Sequence, residues 1–576
     1  MEDIFHYVIN NIDALNVHDV GLQFKNCIEY CLQTYIPSRT KIVRRRNPWI
    51  TREIIQIKRR VKRHRRSGNK AAFNVNKELL KTKLQEAKQN YCTTVLENFM
   101  KTNPGKFWQF FKDSSDTVDK ISQNGKLVTE PNEIAEIFSA YFQSVFSQSN
   151  ESLAISNVAH APSEVSLQRE GILKLLLNLD TKKSPGPDLI PNQFLRRYAN
   201  TVSEFLLVIY EKSLAECDLP QDWKNARVIP IHKSGDKQDI MNYRPISLTC
   251  QSCKLLEHII SSHILDYLEG KNFFFANQHG FRKGLSTMTQ LVEAVHDFTS
   301  TLNQGLQVDV ICLDFNKAFD KIPHQKLIDK LIDTGLNTQI IQWIASYLSG
   351  RTQHVLIQDK TSGNAHVTSG VPQGSVLGPL LFFIYVNDIA SCIDNPVSIR
   401  LFADDCLIYC PIKTVHDQKI LAACLDRVTE WCIAWGMSIN CTKTVVSHIT
   451  NKKTRLEYTY SIQGHRLRHV DTFKYLGVYI KSDLKWDKQV SEVCSRARKR
   501  LWMITRKLRN STRQVKLTAY KSIIRPLLEY GSIVWDPFST KLSERIERIQ
   551  RLAARFIMSN YRRTESVTTM LEKQQN

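Results

Sequence analysis

Two adjacent acids set between two β-prone runs constrain this chain more than any other feature. Val397-Ser398-Ile399-Arg400-Leu401-Phe402 precedes Ala403-Asp404-Asp405, and Cys406-Leu407-Ile408-Tyr409-Cys410 follows. The pattern predicts a hairpin with Asp404 and Asp405 at its turn. Neighbouring carboxylates repel each other, and apolar flanks make ionising them costlier. A divalent cation relieves both effects, because hard cations take carboxylate oxygens. Such a turn points to phosphoryl-transfer chemistry.

A third acid stands 90 residues before Asp404. In VDVICLDFNKAFD (308–320), Val308 to Leu313 predicts a buried strand with Asp314 at its end. The separation leaves room for a helical crossover between two adjacent central strands. An acid at a strand end beside an acid-bearing hairpin makes a three-carboxylate cluster. Two divalent ions about 3.5–4 Å apart could then clamp the attacking and leaving oxygens of an in-line displacement. Between these segments, Ser369-Gly370-Val371-Pro372-Gln373-Gly374-Ser375-Val376-Leu377-Gly378-Pro379 predicts a defined loop before a helix starting near Pro379. Its glycines admit close approach of another backbone, and Gln373 could hydrogen-bond a base or sugar edge.

The 576 residues allow roughly three to five domains, and a net charge of +23, from 79 basic and 56 acidic residues, suggests a polyanion partner, most simply nucleic acid. Residues 41–70 hold thirteen Lys or Arg and one acid, Glu53. KRRVKRHRR at 58–66 is read as helical, with Ile50, Ile54, Ile55 and Ile57 as an apolar edge. It is a solvated face, an RNA-binding surface or a nuclear import signal. Residues 76–112 are expected to continue as helix, anchored by Phe107, Trp108, Phe110 and Phe111. Gly, Pro and Ser over 113–165 predict a boundary near 150–165. Residues 165–480 mix helix and strand.

From 484 onward Trp486, Val490, Val493, Ala497, Leu501, Ile504 and Leu508 form one helical stripe, with basic residues around it. Further helices are expected at 512–530 and 540–558. Cys250-x-x-Cys253 and Cys27-x-x-x-Cys31 lack the second ligand pair zinc needs, so the fourteen cysteines fit the reduced thiols of an intracellular protein. The N-terminus has no signal-peptide pattern, and the longest apolar stretch, Pro379 to Val386, is too short to span a bilayer. A cytoplasmic or nuclear location without a membrane partner is expected.

In their order, the motifs resemble those of reverse transcriptases, most closely those of non-LTR, LINE-like retrotransposons of the jockey-related groups. DFNKAFD (314–320) is similar to the family's first catalytic motif, SGVPQGSVLGPLLFFIYVNDI (369–389) to its template- and nucleotide-positioning motif, and FADD (402–405) to its metal-binding hairpin. KSPGPDLIPNQFLR (183–196), ARVIPIHKSGDKQDIMNYRPISL (226–248) and QHGFRKGLST (278–287) resemble the fingers motifs. GMSINCTKT (436–444) and FKYLGVYI (473–480) resemble the last palm motif and the primer grip.

The resemblance implies an RNA-directed DNA polymerase with a right-hand α+β fold. It implies a helical basic extension over 1–160, fingers and the start of the palm over 165–300, the palm with the catalytic motifs and primer grip over 300–482, and a helical thumb with a truncated C-terminal region over 483–576. Asp314, Asp404 and Asp405 would bind two Mg²⁺ ions, with Mn²⁺ as a possible substitute. Lys233 and Arg244 would hold the triphosphate, Gln373 and Gly374 would position the nucleotide, and Lys443 could protonate pyrophosphate. Phe319 would exclude a 2′-OH, or simply pack in the core. Leu476 and Gly477 would turn against the primer. The implied partners are an RNA template, a DNA primer or target DNA, and dNTPs. Only about 180 residues precede the first fingers motif, and no acid/His nuclease set is found among them. The chain ends at TESVTTMLEKQQN. A partial element product without its endonuclease is therefore expected. A degenerate RNA-binding remnant and an RNA-dependent RNA polymerase are the competing readings.

Overall fold

In the computed structural model, the strand expected at 308–313 lies at the centre of a five-stranded sheet. The sheet order is Arg468–His469, Val445–Ile449, Gln307–Asp314, Asp405–Ile412, Ser398–Phe402. Six of the eight residues of Gln307–Asp314 are buried, as a near-continuous apolar run between two neighbours requires. Helices Thr287–Asn303 and Val415–Ala434 pack on this sheet, each opened by a capping box, at Ser286 and Thr414. A second sheet runs Tyr243–Leu248, Asn225–His232, Thr352–Ile357, Lys360–Thr361. Helix Pro131–Ser144 covers it through Phe138, against Val228 and Val355. The fold is α+β, as expected. The structure describes residues 2–9, 14–37, 47–111, 118–123, 125–147, 153, 165–562 and 565–570; basic residues 41–46 and most of the expected boundary at 150–165 lie outside them.

The helix after the Gly/Pro loop spans Leu377–Val386, two residues ahead of the expected start, so Pro379 sits in its first turn, where its missing N–H costs nothing. It is apolar all round and buried at every residue but Pro379, which marks an interior helix. Glu257, fully buried, accepts the backbone N–H groups of Val376 (2.7 Å) and Leu377 (3.1 Å) and so satisfies donors at that helix start.

Two compact units divide the chain: Met1–Ser38 with Ser115–Leu476, and Arg39–Ser114 with Gly477–Asn576. The segment expected as one extension over 1–160 is thus shared between them. In the first unit, helix Val17–Tyr35 packs Phe24 on Phe205, with ring centroids 5.1 Å apart. In the second, helices Arg52–Arg66 and Lys70–Asn90 pack together. The helix expected to run unbroken through 76–112 is interrupted by a π turn at Tyr91–Val95 and again at Asn103. Pro104 keeps the preceding residue out of helical conformation, and the Asn103 side chain caps Pro104–Gln109 instead. Phe107 is the buried anchor there, with Trp108 and Phe111 edge-on or tilted around it. The stripe from Val490 to Ile504 is buried along helix Asp487–Lys507. The expected 512–530 helix is Arg513–Ala519, a π turn at Tyr520–Ile524, and Arg525–Glu529; the last expected helix spans Thr540–Met558. No described helix is long and apolar enough to cross a membrane.

Candidate active site

The antiparallel register of strands Gln307–Asp314 and Asp405–Ile412 sets Asp314 directly opposite Asp405. Directly paired residues project from the same face with Cβ atoms about 4.5–5.5 Å apart. Asp404 occupies the bend between Phe402 and Asp405, after Ala403 in a left-handed conformation (φ 56°). The three acids the sequence separates by up to 91 positions therefore meet at one sheet end. Asp314 is half-buried, whereas Asp404 and Asp405 touch solvent.

The carboxylates feel this crowding. Desolvation and then Asp404 lift Asp314 above its usual range, while Lys443 and Lys233 oppose the rise. Asp405 is pushed up to about 6, by desolvation first and then by Asp404 and Asp314, against Lys233 and Arg244. Desolvation lowers Lys233, and Arg244 and Lys443 lower it further, while Asp314 and Asp404 oppose. Asp314, Asp404, Asp405, Lys233, Arg244 and Lys443 thus share one electrostatic field. Lys233 and Arg244 reach it from one β-hairpin, in which Ile231 pairs with Arg244 and the Lys233 N–H donates to Asn242 O (2.8 Å). Lys443 arrives through a lace of bonds on Asp314: the Asn440 N–H donates to the Asp314 carbonyl (2.7 Å) and the Asp314 N–H to Thr444 Oγ1 (3.2 Å).

A clamp that the sequence reading did not single out holds the bend. Gln278, fully buried, accepts the N–H of Ala403 (3.1 Å) and of Gly280 (2.9 Å) on its Oε1. The His279 N–H donates to Leu401 O, and the Leu401 N–H to Asn277 O, each at 3.0 Å. A Cβ on Gly280 would stand 2.4 Å from the Ala403 nitrogen, so only glycine fits. Behind the bend, Arg400 donates to Tyr409 Oη (2.8 Å) and ion-pairs with Asp297 (2.7 Å) and Glu293.

The 369–375 loop is seated on the segment that follows Asp314. The Gly370 and Val371 N–H groups donate to Ile322 O and Phe319 O, both at 2.8 Å. Gln373 gives its amide nitrogen to Asp320 (2.7 Å) within the protein, since that buried carboxyl needs a donor. Gly374 lies at φ 123° with a would-be Cβ 2.5 Å from Ser247 O. Phe319 stacks on Phe382, centroids 4.2 Å apart, and stays half-buried. Leu476 and Gly477 are consecutive left-handed residues (φ 43° and 88°), the pattern of a type I′ turn; in the sequence, the first unit ends at Leu476 and the second resumes at Gly477.

Among the described residues no three His, Cys, Asp or Glu side chains close around a single ion. The acids form an open set of hard oxygen donors, and Mg²⁺ is ordinarily held by one or two carboxylates with water and substrate phosphates completing its shell.

Residues 231–480, which hold this sheet, its converging acids and the cations around them, match the family described as reverse transcriptase (RNA-dependent DNA polymerase). Over that stretch the chain is similar to reverse transcriptases. It is 27% identical over 549 residues to the RNA-directed DNA polymerase from mobile element jockey of Drosophila melanogaster, covering 89% of this chain and 60% of that protein. It is 29% identical over 395 residues to the probable RNA-directed DNA polymerase from transposon X-element of the same fly, covering 67% and 43% respectively. The chain spans about half the length of the curated relatives it matches. A solved apo telomerase from Candida tropicalis aligns with 46% of this chain and 54% of its own at a TM-score of 0.34 and 14% identity.

Proposed function

We propose that this chain is an RNA-directed DNA polymerase of a retrotransposon, adding dNTPs to the 3′-OH of a DNA primer or nicked target DNA on an RNA template. The observation that carries the reading is the Asp314–Asp405 register with Asp404 at the adjoining bend. Asp314, Asp404 and Asp405 would hold two Mg²⁺ ions, or Mn²⁺; desolvation and then Asp404 and Asp314 raise the Asp405 carboxyl, a crowding that a bound cation relieves. Bound there, the ions would supply Lewis-acid activation of the primer hydroxyl and charge neutralisation on the triphosphate.

The chain's own groups do the rest. Lys233 and Arg244 face the acids and hold the triphosphate. Lys443 gives its proton to the departing pyrophosphate. Phe319 excludes a 2′-OH, its ring fixed by Phe382. The Gln373–Gly374 loop positions the nucleotide against the template, and Leu476 and Gly477 turn toward the primer. Residues 165–300 act as fingers with the start of the palm, 300–482 as palm, and 483–576 as thumb and C-terminal region. Such work belongs in the cytoplasm or nucleus.

Primer extension on an RNA template with Mg²⁺, offering dNTPs and rNTPs separately, tests this. Incorporation of dNTPs is expected, with Asp404→Asn lowering the rate by about 10²–10⁴, the loss of several kcal/mol of charge stabilisation. A folded protein that binds RNA and incorporates nothing would be the degenerate remnant. A preference for rNTPs would make it an RNA-dependent RNA polymerase.

A further inference from the structure

In the second unit, helices Asp487–Lys507 and Thr540–Met558 pack together and leave a cavity of about 580 Å³ between them. Arg498, Lys499 and Trp502 line it from the first helix, Arg545 and Arg548 from the second, and no carboxylate is among its lining residues. Arg545 is held in place: its Nη2 donates to Ser491 Oγ (3.2 Å). Trp502 is 64% exposed, and the Arg506 guanidinium lies 4.9 Å from its ring centroid. An indole left in water forgoes a large apolar burial. One beside four cations in a concavity of nucleotide size marks a place where a ring and phosphates are received together.

We infer that this cavity seats an unpaired nucleotide of a single-stranded nucleic acid. The base stacks on Trp502, and the flanking phosphates lie on Arg498, Lys499, Arg545 and Arg548. The reason for a single strand is geometric. A base within a duplex has both faces covered by its neighbours, whereas an unpaired base offers a face to an aromatic side chain. The site is separate from the carboxylates, which act on a paired primer end, and it does not depend on the catalytic reading. Single-stranded RNA and DNA share the chemistry it recognises.

Binding is measured by fluorescence anisotropy on the full chain, across a matched series of salt concentrations, with labelled oligo(U), labelled oligo(dT) and a blunt DNA duplex. Trp502→Ala is expected to weaken the single strands about ten-fold or more and the duplex by less than about two-fold. Trp502→Phe keeps most of the single-strand affinity. Arg548→Ala lowers the salt slope for single strands by about 0.7. A loss confined to oligo(U) or to oligo(dT) supports the site and shows which of the two strands it takes. Equal losses for duplex and single strands, or no loss with any probe, overturn it. Trp502 is mostly exposed, so the variants should keep the native circular dichroism. Oligonucleotide binding and primer extension are read separately, so failure of the polymerase reading and failure of this one are distinguishable.

Discussion

Burial lifts the Asp320 carboxyl from 3.8 to about 6, and the hydrogen bond it accepts from Gln373 opposes that rise. A folded-state value above the unfolded one means that ionising the group costs stability. The cost is absent below about pH 4, grows between about 4 and 6, and is complete above that, at about 3 kcal/mol. Asp320→Asn keeps an oxygen for the Gln373 amide and removes the titration. Its unfolding midpoint should therefore rise relative to the native chain as pH increases from 4 to 7; a difference that stays flat with pH would refute the linkage. At this scale Asp314, Asp404 and Asp405 were legible because acids that punctuate apolar β-runs are conspicuous. Gln278 and Glu257 were not. Each serves backbone N–H groups 125 and 119 residues away, and only the Gln-His-Gly sequence hinted at the first.

The 398–402 and 405–412 strands carry the bend, and helix Thr287–Asn303 fixes them through Arg400, which Glu293, Asp297 and Tyr409 engage. Arg400 is buried while Glu293 and Asp297 keep solvent contact. Arg400→Met should therefore cost about 3 kcal/mol, at the lower end for breaking a buried pair. It should also lower kcat for primer extension more than it raises KM, since the bend moves and the triphosphate cations do not. Denaturant unfolding and steady-state kinetics on the one variant check both halves; an unchanged midpoint would show that the helix does not hold the hairpin. The strands were legible from their apolar runs and the Leu377–Val386 helix to within two residues. The break at Tyr91–Val95 was missed because a π turn needs no Gly or Pro to mark it, and that at Asn103 although Pro104 was there to be weighed.

A net charge of +23 governs how the whole chain meets a polyanion. If six to ten phosphates are contacted, affinity for a template–primer duplex should fall about 10³–10⁵-fold between 50 and 200 mM salt, with little dependence on sequence. A salt titration of duplex binding reads this directly, and a shallow slope would contradict it. The division into two units was the least legible feature. A helical stripe announces a face to be buried but not the segment that will bury it, and here residues 39–114 belong with 477–576. That arrangement bears on synthesis. The roughly 360 residues of Ser115–Leu476 must be translated in between, taking roughly 20–70 s at ordinary elongation rates. Throughout that interval the early helices emerge from the ribosome without the late segment of their own unit. Nascent chains arrested near residue 470 should therefore be cut by protease within 52–90, while the released full-length protein resists there.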